Sequence, residues 1–189
     1  APAQVAALVE LEATLATLSA RAGAAPDDAA FDAGVAAARQ LGYPPIEAEA
    51  LIVRARRAVR ARRFDAARKD LVDAAAAATR GGDRARLAEA YIELLALDGN
   101  ERADLAGAAS WAELAAAAVD ALGAPLGKRI DLAEAQVDLA QAEGAPDRVV
   151  ALVSPLLARD DLPTMDRFRL EGELAMARAD QGKFDDASA

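Results

Sequence analysis

Few residues in this chain have side chains suited to catalysis. The sequence contains no cysteine and no histidine, so thiolate nucleophiles, cysteine metal sites and the commonest general base are excluded. Paired carboxylates can perform acid–base chemistry. The three Asp-Asp pairs of this chain, however, lie at predicted helix starts or turns, where a helix-capping role explains them. They are Asp27-Asp28, Asp160-Asp161 and Asp185-Asp186. We therefore predict that the chain is not an enzyme and has no catalytic residue, metal site or cofactor.

A dense basic cluster is the second group of residues with chemical potential, in this case for binding an anion. Its members are Arg54, Arg56, Arg57, Arg60, Arg62 and Arg63. Guanidinium groups can bind a phosphorylated or acidic segment through paired hydrogen bonds. The same arginines can instead pair with acidic faces of neighbouring helices, and the sequence leaves both interpretations open.

The charge balance limits the classes of partner. The 189-residue chain has a formal net charge of −9 and a pI of about 4.6, so phosphate backbones and anionic lipid surfaces repel it. No apolar run approaches the roughly 18 residues of a membrane-spanning helix. We expect neither nucleic acid nor membrane as a partner, and a cytoplasmic location. The chain begins at Ala1 without methionine, which favours a domain excised from a longer protein over a processed exported protein.

Helices must position these residues. Alanine, the best helix former, is abundant, and β-branched residues are few. Apolar residues recur three and four positions apart between glycines and prolines, without sustained alternation of period two. Asp98-Gly99-Asn100 predicts a turn, and Pro155 predicts a kink or an early end of its helix. The spacing predicts nine helices and the start of a tenth, at about 2–22, 27–41, 45–61, 65–79, 84–97, 103–122, 128–142, 146–159, 163–181 and 182–189.

The predicted helices form repeated pairs. The tripeptide Ala-Glu-Ala occurs near the start of the third, fifth and seventh helices, at 48–50, 88–90 and 133–135, and Glu171-Gly172-Glu173 is a degenerate copy. A small or aliphatic residue also recurs in the first turn of the helix that completes each pair, at Ala30, Ala67, Ala108, Val149 and Ala187. A period of about 40 residues with two helices per unit is typical of a helical solenoid.

The chain resembles the tetratricopeptide repeat family, whose unit is a helix pair of 34 residues. The segment 182–187 reads Gly-Lys-Phe-Asp-Asp-Ala and matches the turn of that motif closely. The segment 62–67 matches with arginine at the glycine position, and Leu51 and Ala55 fill the large and small positions of the preceding helix.

Two units depart from the tetratricopeptide pattern. The aromatic residue of the turn is replaced in 99–122 and 144–160, and the period is longer than in the family. The resemblance implies an all-α fold, namely a right-handed α-α superhelix of about four helix pairs plus a truncated fifth, as a single domain over 1–189.

A narrower resemblance concerns the parent protein. The segment 39–51, Arg-Gln-Leu-Gly-Tyr-Pro-Pro-Ile-Glu-Ala-Glu-Ala-Leu, is similar to the repeat tails of bacterial serine/threonine protein kinases from GC-rich species, and so is 111–115. That similarity implies a kinase domain upstream in the parent chain. No kinase catalytic motif occurs within these 189 residues.

In solenoids of the tetratricopeptide type, the first helix of each pair lines the concave face. By this resemblance, nine residues are expected to face a peptide-binding groove: Glu49, Ile52, Arg56, Arg60, Glu89, Ile92, Glu134, Val137 and Gln141. Helix dipoles also favour glutamates near helix starts, and solvated helix faces are charged in any case, so a purely structural interpretation stays open. Trp111 is expected to pack in the core rather than stack on a ligand, and Tyr43 and Tyr91 are expected to be structural.

The expected function is a protein–protein interaction scaffold with a protein or peptide partner, as the regulatory region of a larger bacterial signalling protein. Two alternatives remain. One is an oligomerisation or autoregulatory segment of a kinase, and the other is an all-α domain that binds a small ligand. The sequence leaves the partner and the oligomeric state open.

Overall fold

The computed structural model describes residues 2–21 and 28–182. Within these ranges the chain forms nine α-helices and one π-helical segment, without a strand, so the predicted all-α class is confirmed. The helices are α1 (Pro2–Arg21), α2 (Asp28–Leu41), α3 (Pro44–Arg60), α4 (Phe64–Gly81), α5 (Arg84–Ala96), α6 (Leu105–Ala121), α7 (Leu126–Ala142), α8 (Pro146–Leu157) and α9 (Thr164–Asp180). No helix of the described residues is long and apolar enough to cross a membrane. The predicted tenth helix falls almost entirely on 183–189, outside the described residues.

Local signals in the sequence start and stop these helices. Asp83 and Asp104 cap α5 and α6, because their side chains accept hydrogen bonds from the backbone N–H groups of Arg86 and Gly107, each at 3.0 Å. Gly82 ends α4 with a φ of 66°, in the left-handed region that glycine adopts without strain. Most helix boundaries therefore lie within a few residues of the predicted ones.

The region after α5 differs from the prediction. The prediction of a turn at Asp98-Gly99-Asn100 is wrong. The chain continues from α5 into the π-helical segment Leu97–Glu101, and Asp98 is buried there. A π-helical turn is wider than an α-helical one and changes the direction in which side chains point. Here the π-helical segment places the carboxylate of Asp98 inside the protein, where it accepts hydrogen bonds from protein groups instead of from water.

The proline in α8 lies close to the end of that helix. Proline has no backbone N–H and disfavours the interior of a helix. The helix ends at Leu157, two residues after Pro155, which agrees with the early end predicted from the sequence.

Helices pack against their neighbours in sequence, and the first four odd-numbered helices also pack against one another. α1 contacts α3, α3 contacts α5, and α5 contacts α7. Three core clusters follow each other along the chain, from α1 to α5, from α5 to α7 and from α7 to α9. Buried alanines such as Ala55, Ala67 and Ala108 occupy helix crossings and let the helices approach closely. Successive odd-numbered helices therefore share one surface.

Candidate protein-interaction site

Two adjoining depressions lie on the surface that the odd-numbered helices share. The first, of about 440 Å³, lies between α1, α3 and α5. The second, of about 340 Å³, is lined by α3, α5 and α7. Arg56 and Glu89 line both depressions. The two therefore form one continuous surface feature, which we call the groove.

Most of the residues that the sequence predicts for such a groove do line it. They come from three successive odd-numbered helices and are Glu49, Ile52, Arg56, Glu89, Ile92 and Glu134. The side chains of Ile52 and Ile92 are almost fully buried. They form an apolar floor, and the charged side chains stand around it.

Three predicted residues lie elsewhere. Val137 is buried in the core cluster between α7 and α9. Gln141 is exposed, and its side-chain amide donates a hydrogen bond to Glu173 on α9. Arg60 is exposed at the end of α3 and belongs to neither depression. Arg60 and Gln141 lie in the last turns of α3 and α7, whereas Val137 lies within α7 and faces the core.

A chain of ion pairs connects α3 with α5 along the groove. Arg56 contacts Glu89 and Glu93 through nitrogens 2.8 Å and 2.7 Å from their carboxylate oxygens. Arg86 contacts the same Glu89 at 2.8 Å and Glu49 at 2.9 Å. We call these five residues the groove network. Because it alternates basic and acidic groups, the network joins two helix pairs while its charges remain close to balance.

The groove network holds its members in their charged forms. Burial alone would raise the pKa of Glu89, but the hydrogen bond from Arg86 and the charge of Arg56 outweigh it and lower that pKa. Burial likewise disfavours the charge on Arg56, but the carboxylates of Glu93 and Glu89 outweigh it and raise the pKa of this arginine. Both residues are therefore charged at neutral pH.

The α7 side of the groove is acidic and less well compensated. Asp131, Glu134 and Asp138 line it at a spacing that places them on one helix face. Arg169 lies 2.5 Å from Glu134 Oε1, but this buried oxygen accepts no hydrogen bond. Burial raises the pKa of Glu134; Arg169 opposes the rise, and nearby aspartates, Asp131 first, reinforce it. This end of the groove would gain from an added positive charge.

The arginine cluster is mostly occupied by internal partners. Arg54 donates two hydrogen bonds to Asp70, at 2.8 Å and 2.7 Å, and Arg57 donates one to Asp28. Further contacts join Arg54 to Asp32, Arg63 to Asp28, and Arg62 to the ring of Phe64. Of the two interpretations of this cluster, pairing with neighbouring acidic faces describes most of its members.

A second polar cluster lies at the π-helical segment. The Asp98 side chain is fully buried, and its Oδ2 accepts hydrogen bonds from Trp111 Nε1 at 2.8 Å and Arg68 Nε at 3.1 Å. Its Oδ1 lies 3.1 Å from Arg102 Nε without a hydrogen bond. Trp111 stacks on Tyr91 with the ring centroids 5.9 Å apart. We call Asp98, Arg68, Arg102 and Trp111 the Asp98 centre. It joins α4, the π-helical segment and α6, which agrees with the structural role predicted for Trp111.

Several groove residues were missing from the sequence prediction. Arg86 and Glu93 lie three residues before and four residues after Glu89. Asp131 and Asp138 have the same relation to Glu134. Residues three and four positions apart occupy one helix face, so extending each predicted position by one turn in both directions would have found them. Lys128, one turn before Asp131, follows by the same rule.

Comparison with known proteins gives no indication of function. No family model matches this chain, and no curated protein matches it either. Among the described residues, no group of three or more carboxylates is arranged to hold a metal ion. Function is therefore inferred from the shape and charge of the groove.

Proposed function

We propose that this protein is a protein–protein interaction scaffold that binds an extended or helical peptide segment in the groove. One observation carries the proposal. Residues predicted from the register of three separate helices converge on two adjoining depressions that share Arg56 and Glu89. A shallow, elongated surface with an apolar floor and charged walls suits a peptide better than a small molecule, which favours a deep and enclosed pocket.

The charge of the groove indicates the kind of peptide. Its lining carries more acidic than basic side chains, since Glu49, Glu89, Glu93, Asp131, Glu134 and Asp138 face only Arg56, Arg86 and Lys128. The surplus lies on the α7 side, where burial and neighbouring carboxylates raise the pKa of Glu134. We propose a partner segment with apolar residues for the floor and a net positive charge toward α7.

The wider setting of the scaffold is also a proposal. A TPR-like right-handed superhelix accounts for the repeated helix pairs and for the contacts between successive odd-numbered helices. The resemblance of 39–51 and 111–115 to kinase repeat tails favours a regulatory region of a larger bacterial signalling protein. The upstream sequence of the parent gene tests this setting, because a parent chain without a kinase domain would contradict it.

Selection of peptides from a displayed random library tests the binding site directly. We expect the wild-type protein to enrich basic peptides with apolar residues, and Asp131→Lys to lose at least about tenfold in affinity for them, since it replaces a carboxylate on the α7 side of the groove with a positive charge. Glu113→Lys is the matched control. It makes the same charge change at an exposed position on α6 outside both depressions, and its affinity should stay within about twofold.

A second variant separates binding from folding. Ala16 is exposed and lines the first depression, so Ala16→Trp fills that space while every residue of the groove network is kept. Circular dichroism and thermal melting should match the wild type, while affinity for the selected peptides falls. Binding that is unchanged in both Asp131→Lys and Ala16→Trp would overturn the groove as the binding site.

A further inference from the structure

The last described helix carries an apolar stripe that no other described helix covers. Met165, Phe168 and Met176 are 77%, 74% and 56% exposed. Together with Gly172, they recur three and four residues apart, so all four lie on one face of α9. The opposite face is anchored, because Leu170 and Ala177 are buried in the core cluster between α7 and α9. Large apolar side chains collected on one exposed face mark an interaction surface.

A second apolar surface lies at the other end of the order in which the helices pack. It is a depression of about 580 Å³ between α1 and α2, and most of its lining side chains are small or aliphatic. Ala30, Ala33, Gly34 and Ala37 form its α2 wall, so side chains from another helix can enter between the two helices. We call this depression the α1–α2 cleft.

We propose that the α9 stripe of one molecule docks into the α1–α2 cleft of a second copy of this chain. The two surfaces complement each other in size, because one offers large projecting side chains and the other offers space between small ones. α1 and α2 pack on α3 at one end and α9 packs on α8 at the other. A contact between unlike surfaces at opposite ends is heterologous, so it continues from molecule to molecule into open chains or closes into a ring.

Charge supports a second copy as the occupant. Glu10 lines the cleft, and no ion pair is formed by it within the described residues. Arg169 lies beside the stripe on α9, and its side chain is 52% exposed although Asp166 and Glu134 contact it. Docking brings this arginine toward the unpaired carboxylate of Glu10. The stripe and the cleft share no lining residue with the groove, so the proposal does not depend on peptide binding there, although Arg169 also contacts Glu134.

Sedimentation velocity over protein concentrations from about 1 μM to about 1 mM tests self-association. We expect the wild-type chain to associate as its concentration rises. Phe168→Glu places a charge in the stripe, and Ala33→Arg blocks the cleft with a long side chain on an exposed helix position. Each variant should raise the concentration needed for association at least about tenfold. Val72→Glu, at an exposed apolar position on α4, should associate as the wild type does.

Mixing the two defective variants distinguishes this contact from others. The Phe168→Glu chain keeps an intact cleft, and the Ala33→Arg chain keeps an intact stripe, so their mixture should form a one-to-one dimer that grows no further. Circular dichroism of each variant checks its fold, and formation of the mixed dimer itself requires both chains to be folded. A wild-type chain that stays monomeric throughout would overturn the proposal and assign the stripe to another partner or to residues 183–189. The proposal would also be overturned if the wild-type chain associates but the two variants form no mixed dimer. Loss of association in Phe168→Glu alone would then indicate a contact between two α9 helices.

Discussion

The groove network and the Asp98 centre use the same chemistry in two different surroundings. Both join consecutive helix pairs through contacts between arginines and carboxylates. In the Asp98 centre the carboxylate has no exposed surface, whereas the carboxylate side chains of the groove network are 12–27% exposed. A buried carboxylate has only its protein partners to replace water, while a partly exposed one can exchange a protein partner for water or for a ligand.

This difference in the exposure of the carboxylates predicts a role in stability for the Asp98 centre and a role in binding for the groove network. Removing one member of a buried charged cluster leaves its partners without compensation, and the free energy of unfolding falls strongly. Removing one member of an exposed pair changes that free energy little, because water takes over. The Asp98 centre is therefore expected to hold the helix pairs together, and the groove network is expected to present charges to a partner.

Asp98→Ala should have the largest effect on stability. The substitution leaves the half-buried indole N–H of Trp111 without an acceptor and removes the carboxylate that Arg68 and Arg102 contact. We expect the free energy of unfolding to fall by about 2–3 kcal/mol, measured by urea denaturation. Asp65→Ala is the control, because Asp65 also contacts Arg102 but is 93% exposed, and its effect should stay below about 0.5 kcal/mol. Similar losses in the two variants would contradict the structural role of the Asp98 centre.

The Asp98 centre also shows where sequence patterns mislead. Asp-Gly-Asn is a strong turn signal, because all three residue types favour turns when water can solvate them. The sequence pattern did not reveal that an indole N–H and two arginines would surround Asp98 in the folded chain. The best clue was Trp111, since a tryptophan packed in a core usually needs an acceptor for its N–H group.

A smaller loss of stability is expected from Arg56→Gln. This substitution removes the charge that links Glu89 with Glu93, but all three residues retain access to water. We expect the free energy of unfolding to fall by about 1–2 kcal/mol, less than in Asp98→Ala. Arg60→Gln should be nearly neutral. If Arg56→Gln destabilises the fold as much as Asp98→Ala does, the distinction between the two regions fails.

The groove itself was more predictable than the Asp98 centre, because it depends on helical register and on little else. Glu49 and Glu89 occupy equivalent positions in successive units, so a repeat alignment places both on the same face. The alignment could not place Arg60 or Gln141 in the same way. Those positions lie in the last turns of their helices, beyond the residues of α3 and α7 that line the two depressions.

The smallest effects should appear in the pH dependence of two groove glutamates, and they should have opposite signs. The folded protein raises the pKa of Glu134 and lowers that of Glu89. Between the ordinary glutamate pKa of about 4.3 and the raised one, folded Glu134 binds more protons than unfolded Glu134, so its ionisation reduces stability as pH rises. Glu89 is the reverse: its carboxylate stabilises the fold above the ordinary pKa, and that contribution is lost as pH falls toward the lowered one.

Glu134→Gln should therefore raise the free energy of unfolding at neutral pH, by less than about 1 kcal/mol, and the gain should disappear below about pH 4. Glu89→Gln should lower it at neutral pH, with a difference from the wild type that shrinks as the pH falls. Urea denaturation of both variants and the wild type across this range measures the two differences, and shared changes from other carboxylates cancel. Differences of the same sign at neutral pH would mean that the α7 side of the groove is as well compensated as the groove network, which removes the physical reason for a basic partner there.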